Sequence, residues 1–336
     1  MIALARHYRG VTLVELMVAL SIGSFLMIGA VTVFSQSRTT FRVTESVSRL
    51  QENARFVLAT IEPEIRMASF FGLTARSSKV RGRATPTEPV PAGLAVGNDC
   101  GPNWAINLTE EVGGNNNGFG WACPAFDNAP QPVSDTLVLR RASEGPIAPP
   151  LTAGTMYVQA ARFQDSQLFV GPAIPPGFET LTSQTHELIV NGYYVSNNST
   201  LDTPGNAIPS LRVKTLVGGA LGPRIVDQEV LPGVEDFQVQ FGIDSDPVGS
   251  PNRGSIDRYV NVNDPILNPL SAGFDPAATV LAVRVWIRLR SQFPENGYLD
   301  TTNYVYADQD IPPPNDQFRR AVVSKTIFLR NASTTI

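Results

Sequence analysis

The chain has 336 residues, with 26 Lys and Arg against 30 Asp and Glu and a formal net charge of -4. No long run of Lys or Arg occurs, so the composition argues against a surface that tracks nucleic-acid phosphates, while 43% hydrophobic content suffices for one large or two modest cores. Only two cysteines and two histidines are present, which leaves little material for a metal centre built on thiolate or imidazole.

The first element opens in "RGVTLVELMVAL", where a basic segment containing Arg6 and Arg9 gives way to apolar residues. From Val11 to Phe34 the only formally charged residue is Glu15. A helix of that length covers about 36 Å at ~1.5 Å per residue, more than the ~30 Å of a bilayer core. Basic residues ahead of the span place that end in the cytoplasm and everything after Phe34 on the other side. The run is too long and too uninterrupted for an ordinary cleaved secretory signal, so the sequence predicts an exported but tethered chain.

A carboxylate in such a span is by default functional and needs a cation. A cut between Gly10 and Val11 would supply one: it creates an α-ammonium four residues before Glu15, one helical turn away on the same face. The new helix N-terminus also favours a nearby negative charge. These residues resemble the class III signal of type IV prepilins, in which a basic leader ends in Gly and Glu stands fifth in the mature chain. The resemblance implies cleavage by a prepilin peptidase between Gly10 and Val11, N-methylation of Val11, and an assembly salt bridge at Glu15. Most members carry Phe at the position of Val11. The bland alternative is a plain signal anchor with a stray Glu.

Beyond the span the apolar residues thin into a stripe of Val43, Val47, Leu50, Ala54, Val57, Ile61, Ile65 and Ala68. Steps of three and four define one face of a helix, which packing against a core explains better than partner binding does. Pro63 is expected to bend this helix near Ala59, and Gly72 to stop it. "QENARFVLATIEPEIRMASFFG", Gln51 to Gly72, resembles the corresponding stretch of PilW-type minor pilins.

From 76 to 150 the chain is rich in Gly, Pro and Asn, including "GGNNNGFG", and shows little periodicity beyond "DTLVLRRA". It reads as a loop-heavy excursion. Cys100 and Cys123 bracket its most glycine-rich part; in an oxidising compartment they would form a disulfide worth about 3 kcal/mol, the alternative being two unrelated buried thiols. Trp104, Phe119 and Trp121 are expected to anchor the excursion to the body rather than stay exposed.

Short, turn-bounded strands follow at Thr155 to Phe163, Gln167 to Val170, Glu187 to Ser196, Ser210 to Val217, Arg224 to Leu231 and Val234 to Ile243. In the last of these Phe237, Val239, Phe241 and Ile243 alternate with Asp236, Gln238, Gln240 and Gly242, a pattern with one wet face. Val283 to Arg290 alternates likewise, and Ala321 to Arg330 ends the fold. "LPGVEDFQVQFGIDSD", "DRYV", "LAVRVWIRLRSQ" and "FRRAVVSKTIFLRN" resemble, in order and spacing, the C-terminal half of PilW-type proteins.

The expected organisation is a leader at 1–10, a transmembrane and polymerisation helix at 11–34, an amphipathic helix at 35–72, and a β-rich globular domain at 73–336. This is an α+β chain in which a long N-terminal helix packs on an antiparallel, pilin-like domain. By resemblance it is a structural minor pilin that primes or caps pilus assembly within a tip complex. The partners so implied are a prepilin peptidase, other minor pilins, the major pilin, the inner-membrane assembly platform and a tip adhesin. It would reside in the inner membrane, single-pass with a periplasmic C-terminal domain, and then in the pilus. The alternatives are a J-type minor pseudopilin of type II secretion and a membrane-anchored periplasmic binding protein.

Two further clusters are weaker. Asp244, Asp246 and Asp257 surround a turn that could gather oxygens for calcium, but Pro247 and Gly249 break the ligand alternation of an EF-hand, which favours a solvated turn. Arg284, Arg288 and Arg290 share a strand face and could form a small basic patch, although salt bridging is the better reading and nucleic acid an unlikely partner. Once the leader is removed only His186 remains, and no nucleophile-elbow, zincin or phosphate-loop motif occurs, so neither an enzyme nor a cofactor is expected.

Overall fold

One helix, α1, runs from Leu13 to Met67 in the computed structural model, which describes residues 10–74, 77–269 and 271–332. The chain divides into two units, one up to Arg49 and one from Leu50 onward, so α1 contributes to both. In the first unit the apolar side chains of the helix are open, from Leu13 at 76% exposure to Phe25 at 79%. In the second, Leu50, Ala54, Val57, Ile61 and Ile65 are buried at the three- and four-residue steps of the predicted stripe.

The expected stop is corrected, and the helix is continuous through the proline expected to bend it. α1 continues through Pro63, although the proline has no N–H for the Ala59 carbonyl. Val57, Ile61 and Ile65 are fully buried on either side of it, and flanking ion pairs hold the same turn: Glu62 to Lys325 at 2.5 Å and Glu64 to Arg141 at 2.6 Å. Packing outweighs one lost hydrogen bond. The helix ends at Met67 rather than at 72, because Ser69 turns into the left-handed region (φ 67°) and gives its N–H to the Arg140 carbonyl. Gly72 belongs to the turn that follows; its φ is +77° and a Cβ there would lie 2.7 Å from Ala160 Cβ.

Among the described residues fourteen strands follow: β1 (Val80–Arg81), β2 (Val112–Gly113), β3 (Leu137–Ala142), β4 (Met156–Ala161), β5 (Ser166–Val170), β6 (Ser183–Ser196), β7 (Ser210–Val217) and β8 (Arg224–Pro232), then β9 (Val234–Asp244), β10 (Arg258–Asn261), β11 (Thr279–Arg290), β12 (Tyr304–Tyr306), β13 (Gln309–Ile311) and β14 (Arg320–Phe328). A first sheet orders as β1-β5-β4-β6-β3-β2, with β7 joining β6 to β8. The long β6 makes this branching possible, since its first residues pair with β4 and its later ones with β3 and β7. A second sheet orders as β10-β9-β11-β14, and β12 and β13 form a small hairpin. Every pairing is antiparallel except β1 with β5.

The buried face of α1 meets the inward residues of both sheets, including Leu137, Tyr193 and Val213 from the first and Phe237, Val285 and Ile327 from the second. The excursion at 76–150 is more than surface loop. Leu94, Trp104, Ile106 and Leu108 close a second core with Val138, Val158 and Val190 of the first sheet. Gly192 on β6 leaves room for it, because a Cβ there would strike Trp121 at 2.8 Å and Trp104 at 2.9 Å.

The expected wet face of β9 is a further correction. Asp236 and Gln238 are fully buried. Asp236 accepts from the Tyr306 hydroxyl at 2.6 Å and from Gln238 Nε2 at 3.1 Å, and Gln238 also donates to the Val133 carbonyl at 2.7 Å. The loop before β3 and the β12–β13 hairpin thus cover a face whose alternation alone suggested solvent.

Candidate functional site

The residues singled out at the chain's start converge on the beginning of α1. Gly10 and Val11 are exposed and precede the helix, whereas Arg6 and Arg9 lie outside the described residues. Thr12 and Glu15 then form a reciprocal cap: Thr12 donates from its backbone N and from Oγ1 to Glu15 Oε2, each at 3.1 Å, and the Glu15 N–H returns to Thr12 Oγ1 at 3.3 Å. The spacing T-x-x-E carries this signal in the sequence. Glu15 therefore closes the first turn before any cleavage, with its carboxylate already aimed at the end that cleavage would expose.

The apolar run after it is internally satisfied. Ser21 Oγ donates to the Met17 carbonyl at 2.7 Å, Ser24 to Leu20 at 2.7 Å and Thr32 to Ile28 at 2.8 Å. Each hydroxyl is thus spoken for by its own helix, as residence in hydrocarbon demands. Glu15 is left as the single charged group of the segment.

Cys100 and Cys123 are joined, with Cα atoms 4.4 Å apart and 23 positions between them in sequence. Trp104, Phe119 and Trp121 pack beside the bridge as anchors: the Trp104 and Trp121 rings lie 5.5 Å apart, and Phe119 lies 4.9 Å from both Trp121 and Tyr194. A Cys100→Ser, Cys123→Ser chain is expected to lose about 3 kcal/mol of stability by the loop-closure relation, measurable as a lower urea midpoint. An unchanged midpoint would show that the aromatic packing alone holds the excursion.

"GGNNNGFG" is pinned rather than loose. Asn116 and Asn117 donate to Asp308 Oδ2 at 3.1 and 3.0 Å, and the Asn117 N–H reaches Asp135 Oδ1 at 2.7 Å. Burial pushes the Asp135 carboxyl up to about 7, opposed by the N–H groups of Asn117 and Val239 and assisted by the charges of Asp308 and Asp236. A raised carboxyl favours the fold fully below the unfolded value of about 3.9, and that contribution is lost as pH rises through about 7. The Asp135 carboxyl carbon is expected to titrate near that upper value by NMR; an ordinary carboxylate midpoint would refute it.

Asp244, Asp246 and Asp257 do come together, each offering an oxygen within 4.8 Å of the others. Several of these oxygens serve the turn: Asp244 accepts from the N–H groups of Asp246 (2.9 Å) and Gly254 (2.6 Å), and Asp257 from the N–H (2.7 Å) and hydroxyl (2.8 Å) of Ser245. The Ser245 donors hold the Asp257 carboxyl below its ordinary value. The arginines of β11 are engaged in the same sense. Arg284 donates to Thr326 Oγ1 at 3.0 Å and stacks 3.5 Å from the Tyr259 centroid, Arg288 lies 3.1 Å from Glu235 and Arg290 3.9 Å from it. His186 is buried, with Nδ1 2.9 Å from the Ser143 carbonyl.

Two family profiles match the chain: the prokaryotic N-terminal methylation motif over residues 5–31 and type IV pilus-assembly protein W (PilW) over residues 192–331. The second begins within β6 and takes in the whole β10-β9-β11-β14 sheet. Among solved structures a type IV-like pilin from Thermus thermophilus is similar at 14% identity, over 84% of this chain and 98% of that one, with a TM-score of 0.35. A comparison with curated proteins returns no match. The N-terminal signal and long apolar helix resemble those of type IV pilins and suggest membrane anchoring. Over residues 192–331 the chain is PilW-like.

Proposed function

We propose that this chain is a minor pilin that primes or caps pilus assembly within a complex of minor pilins at the fibre tip, working with other pilins, the assembly machinery and a prepilin peptidase, and that it acts by assembly rather than by catalysis. The reading rests on one observation: the open apolar part of α1, up to Phe34, carries a single carboxylate, capped at the first turn and five residues after Gly10. The leader faces the cytoplasm, where the peptidase cuts between Gly10 and Val11 and methylates Val11. The domain faces the periplasm. The new α-ammonium, on this chain or a neighbour, then pairs with Glu15, and lipid contacts along α1 are exchanged for contacts with other pilins. The size of the β-rich domain fits a low-copy position better than a repeating shaft subunit, with a tip adhesin as a further partner.

Mass spectrometry of the chain from native membranes is expected to find Val11 as a methylated N-terminus, and Gly10→Ala to leave the leader attached and the chain out of fibres. Finding Met1 retained in the native chain of cells with intact pili would sink the proposal.

A further inference from the structure

The outward face of the second sheet carries a groove that neither the pilin fold nor α1 accounts for. It is an open, shallow groove of about 490 Å³ between β14 and the β12–β13 hairpin. Four aromatic rings line it: Trp286, Tyr298, Tyr304 and Tyr306. Two are fixed by their hydroxyls, Tyr304 on Asp300 at 2.7 Å and Tyr306 on Asp236 at 2.6 Å. Guanidinium groups steady three as well, Arg319 at 4.2 Å from the Tyr298 centroid, Arg288 at 5.5 Å from that of Tyr304 and Arg284 at 5.8 Å from that of Trp286. The platform is therefore set before any ligand arrives.

Several of its polar atoms, donors and acceptors both, are unused. Among the described residues, the indole N–H of Trp286, the hydroxyls of Tyr298 and Ser324, and Asn303 Oδ1 have no partner within the chain, although Asn303 Nδ2 is held by Asp310 at 3.0 Å. Among the described lining residues Arg320 is the one that is charged, and Glu235, Asp300 and Asp316 already neutralise it at 2.7, 3.1 and 2.6 Å. The lining itself offers no uncompensated charge, and the bordering Arg284 is stacked on the Tyr259 ring and bonded to Thr326 Oγ1, which disfavours a phosphate or an acidic polymer. A polyproline segment would suit aromatic rings but presents only carbonyl acceptors, leaving Asn303 Oδ1 without a donor. A pyranose meets every requirement. Its C–H face packs on an aromatic ring, whose quadrupole attracts the C–H edges, and each hydroxyl both donates and accepts.

We propose that this groove binds a neutral glycan, with Trp286 as the stacking platform and Ser324, Asn303 and Tyr298 as hydroxyl partners. The site is complete within the globular domain, so it can be tested on the purified full-length chain whatever becomes of the assembly reading. The chain would be held in a detergent without a sugar headgroup and offered neutral oligosaccharides ending in glucose, galactose, mannose or N-acetylglucosamine, alongside heparin and a proline decapeptide. At least one neutral oligosaccharide is expected to be retained and to shift tryptophan emission, with affinity falling at least tenfold in Trp286→Ala. Ser324→Arg, an exposed substitution that fills the groove without opening the core, is expected to lose binding to the same extent with an unchanged circular dichroism spectrum. Binding of no neutral oligosaccharide, undiminished binding in Ser324→Arg, or preference for heparin or the proline peptide would overturn it.

Discussion

A chain carrying Glu15→Val is expected to insert into the membrane and accumulate there, yet to enter fibres at least tenfold less than the native chain. Valine removes an intramembrane charge whose presence costs about 2.5–3.5 kcal/mol near the bilayer centre, so insertion itself should improve. What is lost is the proposed partner of the α-ammonium. A tenfold deficit corresponds to only about 1.4 kcal/mol, less than one well-formed ion pair of low exposure contributes. Because Glu15 also closes a cap with Thr12, the charge must be separated from the hydrogen bond. Glu15→Gln does so: its amide oxygen can accept the Thr12 N–H as the carboxylate does, but it carries no charge. If the ion pair drives assembly, Gln fails as Val does, and quantifying the chain in sheared pili reads the difference. Normal incorporation of the Gln chain would reduce Glu15 to a helix cap.

The start of α1 and its buried stripe were legible because both are local: the spacing of apolar residues follows helical geometry, and one charge in a long apolar run stands out without tertiary information. Most strand positions were legible for the same reason, with ends shifted by a few residues. Alternation failed on β9, because it reports which residues differ from their neighbours and not what lies above them. Asp236 and Gln238 are covered by the Val133 loop and the Tyr306 hairpin, distant in sequence. The excursion at 76–150 was opaque on similar grounds. Its order comes from isolated contacts such as Asn117 to Asp308 and the Cys100–Cys123 bridge, not from a repeating pattern. The short β10, β12 and β13 were missed because three or four residues define no period. The aromatic groove needed all of these, since Trp286 and Tyr304 are brought together only when the hairpin folds back on β11.

The second large effect is expected at Glu235, where removal of the carboxylate in Glu235→Ala should destabilise the globular domain by about 3–5 kcal/mol. Glu235 has a side chain only 14% exposed and receives Arg320 twice, from Nε at 2.7 Å and Nη2 at 2.9 Å, while Arg288 lies 3.1 Å away. The Arg320 side chain is 3% exposed and that of Arg288 8%, so neither can regain water when its partner is lost. Arg320 keeps Asp300 and Asp316, but Arg288 loses the carboxylate it lies against. By contrast, Glu45→Ala should change stability by no more than about 0.5 kcal/mol, because its pair with Arg49 is open to water on both sides. The same network predicts acid lability. Arg320 holds the Asp316 carboxyl below its ordinary value, and at Asp300 the Tyr304 hydroxyl, the Thr302 N–H and Arg320 outweigh burial to the same end. Carboxyls depressed in the fold contribute stability above their unfolded value of about 3.9 that disappears as pH falls through the folded one. Urea midpoints across acidic pH should therefore drop steeply for the native chain and less so for Arg320→Leu, which has already forfeited those interactions. Equal acid sensitivity in the two chains, or a loss under about 1 kcal/mol in Glu235→Ala, would mean that packing rather than the ion network holds this end of the second sheet.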